Sequence, residues 1–520
     1  MKNPNVILVN PSLAYDGNRY EEVVFPFTSI MVIATILDRH GYKVNIVDGN
    51  RYSTDECIAH IARHVDESTI YVGFSVMTSQ VAWAYRVTTE IKKKFPHLRV
   101  IWGGAHPTLY PEQTIADKAI DAIAINESSS IIIALTKAME CNDALSSVPG
   151  ICFKSNGGII KTPEAPPDDI NSISDMDFSL FDVDYYSHDN MLSQFYEFPV
   201  NDVVSLPILT GLGCAYKCTF CINVILNRKY RFKPVEEIVD RIEYLQKTYG
   251  AVFFQFLDED FFLNKKRILD FIDLVEKKKL KFYFRPWLRV SYFRDNYISS
   301  DVARRLEKIG MLTAVMGAES GSQAVLDKIQ KQIKVEDTIR AAEVLSKTGI
   351  IPRFSMMVGL PGETKEDILA TYRLALRIKE IDKRAEVPVL NFVAYPGSLI
   401  YREAIKKYNL GEPSTLADWA KVDFSGHLGF YAVRDRPWIE DKIVFNRMNY
   451  YYNIGFQFSH SNSRINDFLH DILRFIVRLR FRFGFFSFPF EDYLLKFHSV
   501  TKSKLKCNGR SGRFKKINGE

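Results

Sequence analysis

Short apolar runs alternating with amphipathic helical patterns constrain what this chain can fold into more than any other feature. Val6-Ile7-Leu8-Val9-Asn10 reads as a buried strand, residues 29–38 as a helix closed by Gly41, and residues 43–47 as a second strand. The alternation continues with a strand at 70–75, a helix at 80–94, a strand at 99–102 ending in Gly103-Gly104, a short helix at 111–117, a strand at 122–125 and a helix at 129–138. Such alternation gives a parallel, doubly wound sheet, because each helix returns the chain to the same edge, and ligands of such sheets sit beyond the carboxyl ends of the strands. An α/β domain with a Rossmann-like sheet is expected over residues 1–140.

At 520 residues the chain exceeds what one core organises. Gly157-Gly158, Pro163, Pro166-Pro167 and Asp168-Asp169 break the pattern, predicting a hairpin at 150–160 within a linker region spanning 141–197. A second βα series starts at 203–209 and continues with strands at 252–257, 282–286, 313–316, 353–358 and 389–394. Six such units predict a partial (βα)6 TIM-like barrel over 198–409, with its chemistry at the carboxyl ends of the strands. Residues 410–520 are rich in aromatics and then arginine, and are expected to be mainly helical. The amino terminus enters a strand without a signal-peptide pattern, and no apolar run is long enough to span a bilayer, so a cytoplasmic protein is expected.

Three of the seven cysteines fall inside Gly213-Cys214-Ala215-Tyr216-Lys217-Cys218-Thr219-Phe220-Cys221, on a loop after the first strand of the second series. The other four are scattered, which argues against a disulfide framework. Three thiolates at this spacing can ligate three corners of a cubane iron-sulfur cluster, leaving one iron open. A zinc site needs a fourth ligand, and here only a remote His would complete it.

With Phe220 before the last cysteine, the segment resembles the signature of the radical S-adenosylmethionine (SAM) superfamily. Residues 1–138 resemble a cobalamin-binding domain and 200–400 the radical SAM barrel, the order found in cobalamin-binding radical SAM proteins. The resemblance implies a [4Fe-4S] cluster on Cys214, Cys218 and Cys221, SAM bound to the open iron, cobalamin in the first domain, and an external electron donor such as flavodoxin or ferredoxin. Cleavage of SAM would then give a 5'-deoxyadenosyl radical that takes hydrogen from a small-molecule or lipid-like substrate.

Matching motifs imply SAM contacts. Asp258 and Glu259, in Phe256-Leu257-Asp258-Glu259-Asp260, would face the methionyl amine; taken alone, these acids equally suit a helix N-terminus. Glu319 and Ser320, in Gly317-Ala318-Glu319-Ser320-Gly321-Ser322, would reach the ribose or amino acid portion. Gly359 and Pro361, in Gly359-Leu360-Pro361-Gly362-Glu363-Thr364, would edge the adenine, although Glu363 and Thr364 also suit a helix cap. Arg353 suits either the SAM carboxylate or an ordinary ion pair, and Tyr395-Pro396-Gly397-Ser398 reads as structural.

For cobalamin, the resemblance points to Ser75 and Thr78 after one strand, and to Gly103, Gly104, His106 and Thr108 after another. Two departures stand out. Asp38-Arg39-His40-Gly41 lacks the spacing of the D-x-H-x-x-G cobalt-ligand motif and reads as a helix end. Ile125-Asn126-Glu127-Ser128-Ser129 lacks the family's glycines, which narrows the slot expected for the nucleotide tail.

The overall charge of +6 is concentrated at the carboxyl end, where residues 471–520 carry twelve Lys or Arg against four Asp or Glu. Arg474, Arg478, Arg480 and Arg482 alternate with phenylalanines, a pattern that suits weak contact with a membrane surface or, more simply, a helix with aromatics inward and arginines in water. Nucleic acid is not expected, because the basic run lacks a recognition fold. His427, Tyr431 and Trp438 follow the barrel, where substrate residues are expected.

The leading expectation is a cobalamin-dependent radical SAM methyltransferase acting on an unactivated carbon. The alternatives are an oxidative cyclase or rearrangement enzyme using the same cofactors without methyl transfer, and a non-catalytic cobalamin-binding protein, against which the three cysteines argue.

Overall fold

β1 (Asn5–Asn10) is buried along its whole length, as a strand covered on both faces must be. It pairs in parallel with β2 (Lys43–Asp48) on one side and β3 (Thr69–Ser75) on the other, and β4 (Arg99–Gly103) and β5 (Ala122–Ala124) follow in parallel. The order β2-β1-β3-β4-β5 is doubly wound, and its topological switch lies between β1 and β3. In this computed structural model the described residues are 3–13, 25–155, 158–173, 176–187, 203–226, 228–422, 436–457 and 464–486. The predicted hairpin forms as β6 (Ile151–Ser155) and β7 (Gly158–Lys161), and extends the same sheet by antiparallel pairing of β6 with β5.

The covering helices bury one stripe each. Helix Val81–Lys94 buries Val81, Ala84, Val87, Thr88 and Ile91 at spacings of three and four, and ends in three lysines that suit its dipole. Helix Thr54–His64, which the sequence reading passed over, starts with a capping box between Ser53 and Glu56.

The second series begins at β8 (Val204–Ile208), followed by the short pair β9 (Gly211–Leu212) and β10 (Arg231–Phe232). β11 (Ala251–Phe256), β12 (Tyr283–Arg285), β13 (Trp287–Leu288), β14 (Thr313–Glu319), β15 (Ile351–Val358) and β16 (Val389–Asn391) complete it. β8, β11 and β12 form one parallel set, and β13 to β16 another. β12 and β13 are a single crossing interrupted at Pro286, which lacks an N–H for the ladder. The result is an open arc of six parallel βα steps.

The chain divides into two compact units, Met1–Trp438 and Ile439–Glu520, so the sheet and the arc share the first. Two clasps join them. Arg231 of β10 makes a bidentate pair with Glu127, at 2.5 and 2.8 Å, and donates to the Asp168 carbonyl at 2.6 Å. The Asp168 carboxylate accepts from Ser129 and Ser130 N–H, which closes the turn after β5. Second, residues beyond the barrel return to the first sheet: Leu416 and Trp419 enter its core, and Trp419 Nε1 donates to Gln113 at 2.8 Å.

In the second unit, helix Arg464–Phe483 packs Val477 and Phe481 inward, but the expected sorting of aromatics from arginines fails. Arg480 is buried with its guanidinium 4.6 Å from the Tyr451 ring centroid, whereas Phe475 and Phe483 are exposed. Helical geometry, not residue type, decides this: 473, 477, 480 and 481 share one face, and 475 and 483 another. His427, Tyr431 and the basic residues 502–516 lie outside the described residues. Among the described residues no helix is long and apolar enough to cross a membrane.

Burial alone would raise the Glu127 carboxyl, but Arg231 and the Asp168 N–H hold it below the ordinary carboxylate range. Its folded value thus lies below the unfolded value of about 4.3, so its contribution is present above about pH 5 and is lost as pH falls through the folded value. Glu127→Gln is expected to cost about 2 kcal/mol at neutral pH, given the partial exposure of the pair. In urea titrations the difference from the native chain should shrink as the pH is lowered toward 4.

Candidate active site

The cysteine loop is held from below by carboxylates at the end of β11. Asp258 accepts from Thr210 N–H at 2.8 Å and from the Thr210 hydroxyl at 2.6 Å, and Arg267 donates to the Thr210 carbonyl at 2.7 Å. Asp258 and Arg267 are both buried, and burial pushes the Asp258 carboxyl up to about 6 against the pull of Arg267. Gly211 leaves room for this brace, since a Cβ there would lie 2.7 Å from Asp258 Oδ2. One step on, Gly213 has φ +75° and donates to Glu259 at 2.8 Å; a Cβ would meet the Lys229 carbonyl oxygen at 2.3 Å. The side chain at 213 is therefore excluded both by conformation and by space.

Cys218 is buried, while Cys214 and Cys221 are half-buried. Thr219 N–H bonds to the Ile329 carbonyl, and Ile400 N–H to that of Thr219, fixing the loop between two later barrel segments. Arg289, just beyond β13, lies with its guanidinium 3.5 Å from the Tyr216 ring centroid and 4.0 Å from Cys218 Sγ, and donates to the Lys331 carbonyl. Lys331 pairs with Glu319 at 2.6 Å, and Glu319 adopts φ 60° where β14 ends. Asp260 accepts from Tyr292 at 2.5 Å, and its other oxygen is buried without a partner.

Among the described residues no three His, Cys, Asp or Glu converge as ligands of one metal ion. A cubane separates its thiolates onto different irons, and the loop offers three thiols beside a cation with no fourth ligand, so the donor set fits a [4Fe-4S] cluster. In the metal-free chain burial pushes the Cys214 thiol up to about 11 and also raises that of Cys221, so metal binding has to displace their protons.

The other expected SAM residues divide. Ser320 is fully buried, 2.9 Å from Thr371 Oγ1, and Gly321 lies so close to the Ala370 carbonyl that a Cβ would be 2.2 Å from its oxygen. These two dock helix Lys365–Ile381, leaving Glu319 as the part of the motif turned toward Lys331. At the β15 end, Gly359 has φ +83°, and Leu360 N–H donates to Glu363 at 3.0 Å. The Gly359 carbonyl accepts from Trp438 Nε1 at 2.8 Å, and that of Pro361 from Lys328 at 2.6 Å. A cavity of about 150 Å³ adjoins this turn, lined in part by Ile329, Leu360, Glu363 and Ile400. Arg353 pairs with Glu386 at 3.2 Å. It stands five residues before the end of β15, roughly 16 Å from the cluster loop's end of the strand.

At the mouth of the first sheet, the Ser75 hydroxyl lies 2.8 Å from that of Ser29, at the start of helix Thr28–Arg39. Ser29 was not singled out from sequence, although it opens the helix at the switch point. Met77 is 36% exposed just after β3. Gly104, φ +96°, lets the chain cross Val76, where a Cβ would be 2.7 Å from the backbone nitrogen; Gly103 meets no comparable obstruction. Thr108 donates to the Gly104 carbonyl and accepts from Asn126 N–H, and Thr78 lies 3.3 Å from His106 Nδ1. His106 is buried against Tyr110 and Trp419, and burial pushes it down to about 3, leaving a neutral ring closed off from the mouth. His40 caps the far end of helix Thr28–Arg39, at the amino ends of the strands. Hydroxyls at the switch point and a side-chain-free crossing at Gly104 fit a broad ring with a nucleotide tail.

The arrangement is that of an α/β protein with three thiols over a parallel arc and a doubly wound domain clasped beside it. Residues 208–375 match the radical SAM superfamily, and residues 24–135 match the B12 binding domain. The chain is 27% identical over 412 residues to an uncharacterised methyltransferase of Pyrococcus horikoshii, covering 78% of this chain and 84% of that protein. It is 25% identical to the anaerobic magnesium-protoporphyrin IX monomethyl ester cyclase of Rubrivivax gelatinosus, covering 74% of this chain and 66% of the cyclase. Among solved structures, the radical SAM methyltransferase TsrM of Kitasatospora setae, with cobalamin and a [4Fe-4S] cluster bound, shares the fold with a TM-score of 0.58 at 17% identity, over 78% of this chain and 75% of that one. The chain belongs to the cobalamin-binding radical SAM enzymes.

Burial pushes Glu363 up to about 8 despite two backbone donors. Its folded value exceeds the unfolded one, so the stability it contributes is full below about pH 4 and is lost as pH rises through about 8. Thermal unfolding should show the native chain losing ground to Glu363→Gln between about pH 5 and 8, with no further divergence above that.

Proposed function

We propose that this enzyme is a methyltransferase that methylates an unactivated carbon of a small molecule. The proposal is supported by the match spanning 84% of a methyltransferase but 66% of a cyclase, and by one compact unit holding both the three cysteines and the candidate cobalamin residues. When bound, the cluster and SAM supply hydrogen abstraction through a 5'-deoxyadenosyl radical, and cobalamin supplies methyl transfer.

Cys214, Cys218 and Cys221 hold the cluster. Asp258 has both oxygens engaged within the protein, so its part is to brace the loop through Thr210, while Glu259 and Glu319 are the carboxylates that would hold the SAM amine. Gly359 and Pro361 shape the adenine edge as backbone, Ser320 positions Glu319 by anchoring the following turn, and Arg353 takes the ion-pair role with Glu386. Ser75, Thr78, Gly103, Gly104 and Thr108 shape the cobalamin mouth, with Ser29 beside Ser75 and His106 supporting Thr78 from within. The cation at Arg289 stabilises negative charge on Cys218 and so favours the reduced cluster.

Two measurements test this. Reduced, reconstituted protein supplied with its substrate should form both 5'-deoxyadenosine and S-adenosylhomocysteine, because methyl transfer consumes SAM in two distinct ways; deoxyadenosine alone would move the enzyme to the cyclase class. Arg289→Met should retain its iron content but show a lower midpoint potential in a redox titration followed by electron paramagnetic resonance.

A further inference from the structure

The second unit carries an apolar stripe that its own packing leaves uncovered. On helix Arg464–Phe483 the inward face is Leu473, Val477, Arg480 and Phe481, against Tyr451, Gly455 and Phe486. The opposite side carries Ile472, Phe475, Leu479 and Phe483, which are 43%, 61%, 36% and 73% exposed. Their spacing of three, four and four residues puts all four on one line along the helix. Phe485, 52% exposed, continues the line just past the helix end.

Charge borders this stripe on one edge. Arg478 and Arg482 are exposed and fall within a turn of Leu479 on the same side. Large phenylalanines beside arginines are the make-up of a helix that lies in a bilayer interface: the rings enter the acyl boundary, and the guanidinium groups stay at the phosphate level on their aliphatic stems. The surplus of twelve basic over four acidic residues in 471–520 has the sign that anionic headgroups attract. A second copy of the same face would bring arginines toward arginines, so charge favours lipid over self-association.

We propose that helix Arg464–Phe483 docks on an anionic lipid bilayer surface through Ile472, Phe475, Leu479 and Phe483, with Arg478 and Arg482 at the headgroups. Such a helix lies on the membrane and does not cross it, in keeping with the absence of a spanning helix among the described residues. The inference is independent of methyl transfer and stands or falls by a different assay.

The test is flotation of the full-length, cluster-reconstituted chain with vesicles of phosphatidylcholine alone or mixed with phosphatidylglycerol. The native chain should float with the mixed vesicles, bind phosphatidylcholine weakly, and be released by high salt. The double variant Phe475→Ser with Phe483→Ser should lose at least about tenfold in partitioning, with unchanged circular dichroism and iron and cobalt content, because both side chains face outward. Arg478→Gln with Arg482→Gln should reduce the preference for anionic vesicles. No binding to mixed vesicles at low salt would overturn the proposal. So would undiminished binding of the phenylalanine variant, which would assign attraction to the basic residues alone. A change in its oligomeric state without vesicle binding would assign the stripe to a second copy, and increased proteolysis of residues 487–520 without vesicle binding would assign it to that segment; either overturns the proposal.

Discussion

The bidentate pair between Arg231 and Glu127 is the interaction on which the geometry of the catalytic unit depends. Arg231 sits opposite Leu212 in the β9–β10 ladder, two residues before Cys214, while Glu127 closes the turn after β5 of the first sheet. One guanidinium therefore ties the edge of the B12 binding domain to the loop that carries the three cysteines. A planar fork against a carboxylate fixes orientation as well as distance, which a lysine in the same place would not do.

Around that tie, the loop is built by mutual exclusion. Asp258 and Arg267 occupy the space below Thr210, Gly211 and Gly213 admit the backbone where a side chain would collide, and Glu259 accepts from the Gly213 N–H. The three thiols are thus presented by a segment whose backbone is held at Thr210, Gly213 and Thr219. Arg289 and Lys331 add positive charge on the thiol side.

The returning segment at Leu416 and Trp419 closes the second clasp and has a further effect on the first domain. By packing Trp419 on His106, it removes the imidazole from the mouth and keeps it neutral. A residue that looks from sequence like a pocket histidine is converted by this packing into a support beneath Thr78. The nearest hydroxyl partner of Ser75 comes instead from Ser29, 46 positions earlier in the chain.

Much of this was legible in the sequence because it rests on short-range rules. Strand and helix periods gave the parallel order, the spacing of Cys214, Cys218 and Cys221 gave the donor set, and helix ends explained His40. Helix Thr54–His64 was readable too, from the Ser53 and Glu56 capping box. What the sequence alone left open concerns side chains with several chemically equal uses: Asp258 against SAM or against Thr210, Arg353 against a carboxylate of either kind, the arginines and phenylalanines of the last helix toward core or solvent. Nothing in residue type separates these options, because each satisfies the same hydrogen-bonding and burial demands. Long-range packing decides them, through partners such as Arg231 with Glu127 and Trp419 with His106, which lie 104 and more than 300 positions apart and meet only once both sheets are in place.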